Sequence, residues 1–382
     1  MTNKNEKNIL VIAGEASGDL IGASLIKELK KTDPDLMFYG IGGDIMQAEG
    51  MELSYHINHM AFLGFVEVIK HLPFITKAQK KLIELVKSKN IKNVVLIDYP
   101  GFNLSIAKKL KALCVKIIYY VSPQLWAWGS GRVNKVRELV DKMLVVFPFE
   151  EKMYKDNNIN VQFVGHPLVE RINNHEFLLY EDFCSKFQLD KEKDILLVMP
   201  GSRENEVKKI FPHTIKAAGR IASEFDMQII VSCSSNLSEE LFKSYSDVVD
   251  FKLIKGFTYD LMKHAKFGII KSGTSTLEAG YFGLPILIVY KTNYITYLVM
   301  KKLIQVKSIG IVNILLEEKI ITELIQNRLT ENLVYEESKK ILSNSSEYEK
   351  IKTKLSEVKN KLAGKTASVS AAKSIYEIIN EC

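Results

Sequence analysis

At 382 residues the chain is too long for one ordinary hydrophobic core, so two domains are expected. Its composition, 47% hydrophobic and 25% charged, is that of a soluble globular protein, and no apolar run approaches the ~20 residues of a membrane-spanning helix. The formal charge of +7 suits an anionic lipid or nucleotide, but Lys, Ile and Asn are abundant throughout and no compact Lys/Arg block tracks a nucleic-acid backbone, so no nucleic-acid partner is expected.

The N-terminal apolar run at 9–13 is too short for a secretion signal and is followed at once by Gly14-Glu15-Ala16-Ser17-Gly18-Asp19, which reads as cytoplasmic. Strand-length apolar runs stand at 9–13, 36–41, 94–97, 117–121, 143–147 and 161–164. Helical periodicity fills 20–29, 75–86 and 104–113 between them. This alternation predicts a parallel, doubly wound sheet, whose ligands bind beyond the carboxyl ends of the strands. The polar residues just after each strand are therefore the candidates. After the first comes the glycine loop at 14–19, without a P-loop lysine, and after the second Gly40-Ile-Gly42-Gly43. After the third comes Asp98, ending an all-apolar run, where a carboxylate is costly unless it faces a cleft. It is a candidate general base, or equally a cap for the next helix, although Asn103 is better placed for capping. After the fourth, Trp126 and Trp128, the two tryptophans of the chain, suit a binding pocket or a domain interface. The stretch 60–75, with Met60, Phe62, Leu63, Phe65 and Val66, is apolar on nearly every side, as a core helix or a lipid-facing patch would be.

Val164-Gly165-His166-Pro167 ends the sixth strand and leads to an irregular segment, where the domain boundary is placed. A His-Pro pair at a strand end is more often structural than catalytic. The pattern then restarts with strands at 195–199, 228–232, 251–254, 267–270 and 286–290 and helices at 210–225 and 259–264. Gly201-Ser202-Arg203 follows the first of these strands, and a guanidinium fork there suits a diphosphate. Gly273-Thr274-Ser275-Thr276 opens a helix whose N-terminus is an anion site, with Glu278 one turn on and within reach of a ribose. Ser275 and Glu278 read equally as a capping box. The last part, 335–362 and 369–379, reads as two charged amphipathic helices. The four cysteines are scattered, without the spacing of a disulfide framework or a metal site, so neither is expected.

Seven segments occur together and in order: Gly-Glu-Ala-Ser-Gly-Asp (14–19), Gly-Ile-Gly-Gly (40–43), Ile-Asp-Tyr-Pro-Gly-Phe-Asn (97–103), Ser-Pro-Gln-Leu-Trp-Ala-Trp (122–128), Val-Gly-His-Pro (164–167), Pro-Gly-Ser-Arg (200–203) and Ser-Gly-Thr-Ser-Thr-Leu-Glu (272–278). The ordered set resembles the lipid-A-disaccharide synthase family of Gram-negative bacteria. That resemblance implies a GT-B α/β fold with two Rossmann-like domains facing across a cleft. The expected limits are 1–170 for an acceptor and membrane-facing domain, 171–345 for a UDP-sugar donor domain, and 346–382 for helices that pack back on the first. It implies an inverting transfer from UDP-2,3-diacylglucosamine to the 6-hydroxyl of 2,3-diacylglucosamine 1-phosphate, at the cytoplasmic face of the inner membrane. No metal or cofactor is expected, and a homodimer is an open possibility.

In this reading Asp98 is the base, with Glu15 and Asp19 in reserve. Gly201, Ser202, Arg203, Gly273, Thr274, Ser275, Thr276, Glu278 and Asn313 bind the donor. Ser17, Gly18, Trp126, Trp128, Met60, Phe62, Leu63, Phe65 and Val66 meet the acceptor or lipid. The chain departs from the family at Val312, where a proline usually precedes Asn313, and at Thr322, another usual proline. It departs again at Leu316-Glu317-Glu318-Lys319, which replaces a glycine-containing turn. Two rivals are another enzyme of the same fold acting on UDP-N-acetylglucosamine, either a 2-epimerase or the lipid II-forming transferase, and a non-catalytic nucleotide- or membrane-binding protein. The first lacks the 14–19 and Trp-Ala-Trp sets; the second has no use for Asp98, Arg203 and Glu278 together.

Overall fold

The computed structural model describes residues 7–60, 71–126, 131, 133–245, 247–303 and 308–380. The chain divides into two compact units, 1–171 with 364–382, and 172–363. The first is built on a parallel sheet of β1 (Asn8–Ala13), β2 (Met37–Gly42), β3 (Met51–His56), β4 (Asn93–Ile97), β5 (Lys116–Tyr120), β6 (Lys142–Val145) and β7 (Val161–Phe163), in the order β3-β2-β1-β4-β5-β6-β7. β1 and β4 are apolar on both faces because helices cover both sides, and their side chains are almost entirely buried. The order reverses between β1 and β4, which pair in register from Ile9 with Asn93 to Ala13 with Ile97. Their carboxyl ends therefore lie side by side at a switch point, the place where doubly wound sheets take ligands.

The second unit repeats the plan with β8 (Asp194–Met199), β9 (Met227–Cys233), β10 (Lys252–Lys255), β11 (Phe267–Lys271), β12 (Ile286–Tyr290) and β13 (Glu323–Ile325), ordered β10-β9-β8-β11-β12-β13. Its switch point is β8 beside β11, paired from Phe267 with Leu196 to Ile270 with Met199.

Two strands escape the sequence reading. β3 alternates polar and apolar residues at a sheet edge, and β13 has three residues. The final segment also differs, with three helices in place of two: Glu331–Leu342, Ser345–Leu362 and Ala367–Asn380. Asn344 forces the extra break, because its side chain accepts the Glu347 N–H at 3.1 Å and caps a new helix. The Ser345–Leu362 helix does not return to the first unit. It buries Ile351, Leu355, Val358 and Leu362 and packs on the Thr274–Tyr281 and Ile311–Leu316 helices of the second. The last helix alone joins the first unit. It lies along the Ala16–Thr32 helix, with the Ser368 hydroxyl donating to Glu170 at 2.6 Å.

Candidate active site

In the first unit the site is built at the ends of β1, β4 and β5. Asp98 and Tyr99 both take left-handed backbone angles, φ +44° and +47°. Each such residue costs on the order of 1 kcal/mol and persists only where the surroundings fix it. Here they do. The Asn103 side-chain N–H groups donate to the carbonyls of Ile97 (3.2 Å) and Asp98 (2.7 Å), and the Tyr119 hydroxyl donates to the Asp98 carbonyl at 2.6 Å. Val121, at the end of β5, is a β-branched residue held at φ +62°. The Tyr99 ring lies over Gly14, where any Cβ would come within 2.3 Å of it, and its hydroxyl donates to the Met60 carbonyl.

The kinked backbone leaves the Asp98 carboxylate half-buried. Burial first, and the nearby Glu15 charge second, push its pKa up to about 6 against the stabilising Tyr99 N–H. A carboxylate with that pKa is ionised at neutral pH yet basic enough to take a proton.

The other residues expected here divide. Glu15, on the loop after β1, and Ser17, in the first turn of the Ala16–Thr32 helix, are both exposed, and Glu15 lies close enough to Asp98 to perturb it. Asp19 is no spare base. It is buried and accepts N–H groups from Gly43 (2.7 Å), Ile45 (3.2 Å) and Met46 (3.1 Å), so it caps the Asp44–Ala48 helix. Gly18 packs against Ala13 and Ile97 rather than facing a ligand. Met60 is core, fully buried among Leu82, Phe102 and Tyr119. Phe62, Leu63, Phe65, Val66 and Trp128 lie outside the described residues. His166 is structural: its Nδ1 accepts the Leu168 N–H at 3.1 Å, and burial, aided by Arg171, lowers its pKa to about 3.

Trp126 is half-buried, its ring edge against Phe149 and its indole N–H donated to Glu150 at 3.0 Å. Glu150 was not foreseen. It is 1% exposed and also accepts the Ser122 hydroxyl (2.6 Å) and the Phe147 N–H (3.2 Å). Burial pushes its pKa up to about 7 against these donors. The available signal was Pro148 followed by Glu150 just after a strand, a helix-start pattern.

In the second unit, Gly201 at φ +136° and Ser202 form a turn after β8, with Arg203 exposed at the N-terminus of the Glu204–Phe225 helix. Arg203 pairs with Glu206 (3.3 Å), and so does Lys271 at the end of β11 (2.9 Å); neither Glu206 nor Lys271 was foreseen. The Thr274–Tyr281 helix has Gly273 as its N-cap. Position N3 is therefore Thr276, whose hydroxyl donates to the Gly273 carbonyl, and Glu278 falls two residues beyond the place a capping box requires. Ser275 and Glu278 do not form one. Thr274 is exposed and Gly273 and Ser275 half-buried, while Glu278 is buried on the next turn.

Asn313 does not behave as a nucleotide ligand. Its side chain donates to the Ile321 carbonyl (2.8 Å) and Glu323 (2.9 Å) and accepts the N–H groups of Ile320 and Ile321, so it shapes the loop into β13. Glu317 closes the preceding helix at φ +57°. Glycine would relieve about 1–2 kcal/mol of left-handed strain there, partly offset by about 0.5–1 kcal/mol of added unfolded-state freedom. Glu317→Gly is expected to raise stability by about 0.5–1 kcal/mol in urea unfolding, and a loss would show that Glu317 makes contacts worth more than its strain.

A family model described as lipid-A-disaccharide synthetase matches residues 9–379. A lipid-A-disaccharide synthase from Geobacter sulfurreducens is 36% identical over 384 residues, covering 100% of both chains. Another from Coxiella burnetii is 35% identical over 98% of this chain and 99% of its own length. Among solved structures, the S. aureus MnaA–UDP co-structure superposes with a TM-score of 0.68 at 16% identity, covering 98% of both chains. A glycosyltransferase from Rickettsia africae superposes with a TM-score of 0.60 at 13% identity, covering 99% of both. At such identities these two speak for the fold alone, the GT-B plan of two parallel α/β units. With its motifs in order, that fold, and full-length relatives sharing over a third of its residues, the chain belongs to the lipid-A-disaccharide synthase family, the glycosyltransferases of lipid A biosynthesis.

Proposed function

We propose that the chain transfers the sugar of UDP-2,3-diacylglucosamine to the 6-hydroxyl of 2,3-diacylglucosamine 1-phosphate, giving the β-1′,6-linked disaccharide 1-phosphate and UDP. The observation that carries this reading is Asp98, a carboxylate raised to a pKa of about 6 on a backbone held in place by Asn103 and Tyr119. It takes the proton of the acceptor hydroxyl as the oxygen attacks the anomeric carbon from the face opposite the leaving group. Inversion follows from that single displacement. The bond to the diphosphate breaks as the new one forms, and the negative charge that develops on UDP needs a positive partner. Arg203 and the N–H groups at the start of the Thr274–Tyr281 helix supply it in the second unit. Glu278, buried one turn on and not engaged in a capping box, is assigned to the ribose.

No helix among the described residues is long and apolar enough to cross a membrane. The acyl chains of both substrates assign the encounter to the cytoplasmic face of the inner membrane, met peripherally. The donor half of this reading is tested by calorimetry with UDP. Arg203→Ala should weaken binding by roughly 1.5–3 kcal/mol, the share of a charge-assisted bond. Glu278→Gln should weaken it without unfolding the protein. Unchanged affinity in both variants would remove the second unit as donor site.

A further inference from the structure

Beyond Arg203, the second unit carries another cation at the same switch point. Lys271 is the last residue of β11, the strand paired with β8, and its side chain is only 17% exposed. Its ammonium lies 2.9 Å from Oε1 of Glu206, the same oxygen that Arg203 meets at 3.3 Å. The second oxygen of Glu206 accepts the Ser202 N–H at 3.3 Å. One carboxylate thus already collects a guanidinium, an ammonium and a backbone N–H, which shows that these three donors converge on one anion position. Lys271 also stands at the other anion-attracting element. A Cβ placed on Gly273, the N-cap of the Thr274–Tyr281 helix, would find Lys271 Nζ at 3.7 Å. The face of Tyr290, 5.7 Å from the ammonium, borders it on the β12 side. Two cations against one carboxylate leave an excess positive charge between two helix N-termini, suited to a doubly charged group.

We propose that Lys271 is a second cation for the donor diphosphate, aimed by Glu206, which acts as a positioning residue by holding Lys271 and Arg203 together before UDP arrives. This rests on the assignment of the second unit to the donor. Lys271 then shares with Arg203 the charge that develops on the leaving UDP, so its loss weakens the product as well as the bound donor.

The test compares UDP with uridine, which lacks the diphosphate. In Lys271→Met, which keeps the apolar stem without the charge, the Kd for UDP should rise about 10-fold or more while that for uridine stays put. Lys271→Arg should restore most of the UDP affinity. Unchanged UDP affinity in the methionine variant would overturn the proposal. So would an equal loss for UDP and uridine, or an equal loss in the methionine and arginine variants, since either marks packing rather than charge. Failure of the unaltered protein to bind UDP would instead strike the donor assignment itself.

Discussion

Asp98→Asn is expected to lower kcat by about 10²–10⁴-fold, the usual cost of losing a general base, with UDP affinity nearly unchanged. Asparagine keeps the shape of the side chain but cannot accept the acceptor's proton. The pH dependence gives a second signature. Asp98 acts in its ionised form, so kcat/KM of the unaltered protein should fall as pH drops through about 6, and the variant should lose that limb. Stability runs the other way. The folded-state pKa lies above the ordinary 3.8, so the folded protein holds this proton more tightly than the unfolded chain. The group's contribution to stability is full below about pH 4 and is lost as pH rises through about 6. At neutral pH the charge costs stability, and Asp98→Asn should melt no lower than the parent. A destabilised variant with near-normal turnover would make Asp98 structural and pass the base role to Glu15, since Asp19 is committed to its three N–H donors.

Glu150→Ala is expected to be among the most destabilising single changes in the first unit. It strands three donors at once, the Ser122 hydroxyl, the Trp126 indole N–H and the Phe147 N–H, and leaves a void. Each buried group left without its partner costs roughly 1–3 kcal/mol, so a loss of about 3 kcal/mol or more in urea unfolding follows. Glu150→Gln keeps the oxygen that Ser122 and Trp126 share and should lose far less. Because burial raises the Glu150 pKa from 4.5 to about 7, its contribution to stability is full below about pH 4.5 and lost as pH rises through 7. The parent should therefore weaken across that window more than the glutamine variant does. Equal melting of parent and alanine variant at pH 5 would show that water replaces the carboxyl group and that the turn at Ser122–Trp126 does not depend on it.

Most of the strands were legible because a strand covered on both faces is a continuous apolar run, as at Ile9–Ala13 and Ile195–Met199. β3 and β13 were not, since edge position and short length remove that signal. Asp98 was legible for the same reason as its strand: a carboxylate closing an apolar run has few places to go. What stayed hidden depends on partners distant in the chain. Asp19 is turned into a cap by N–H groups of 43–46, and Lys271 at the end of β11 meets Glu206 in the helix that follows β8. Asn313 is consumed by Ile320, Ile321 and Glu323, which motif spacing does not reveal. Met60 was ambiguous because apolar residues look alike in a core and in a lipid-facing patch, and burial assigns it to the core.

The most direct measurement is product analysis after mixing the purified protein with UDP-2,3-diacylglucosamine and 2,3-diacylglucosamine 1-phosphate. The account predicts one β-1′,6-linked disaccharide 1-phosphate for each UDP released, with release depending on the acceptor. UDP released without disaccharide, an α-linked product, or a donor sugar epimerised at carbon 2 would contradict it.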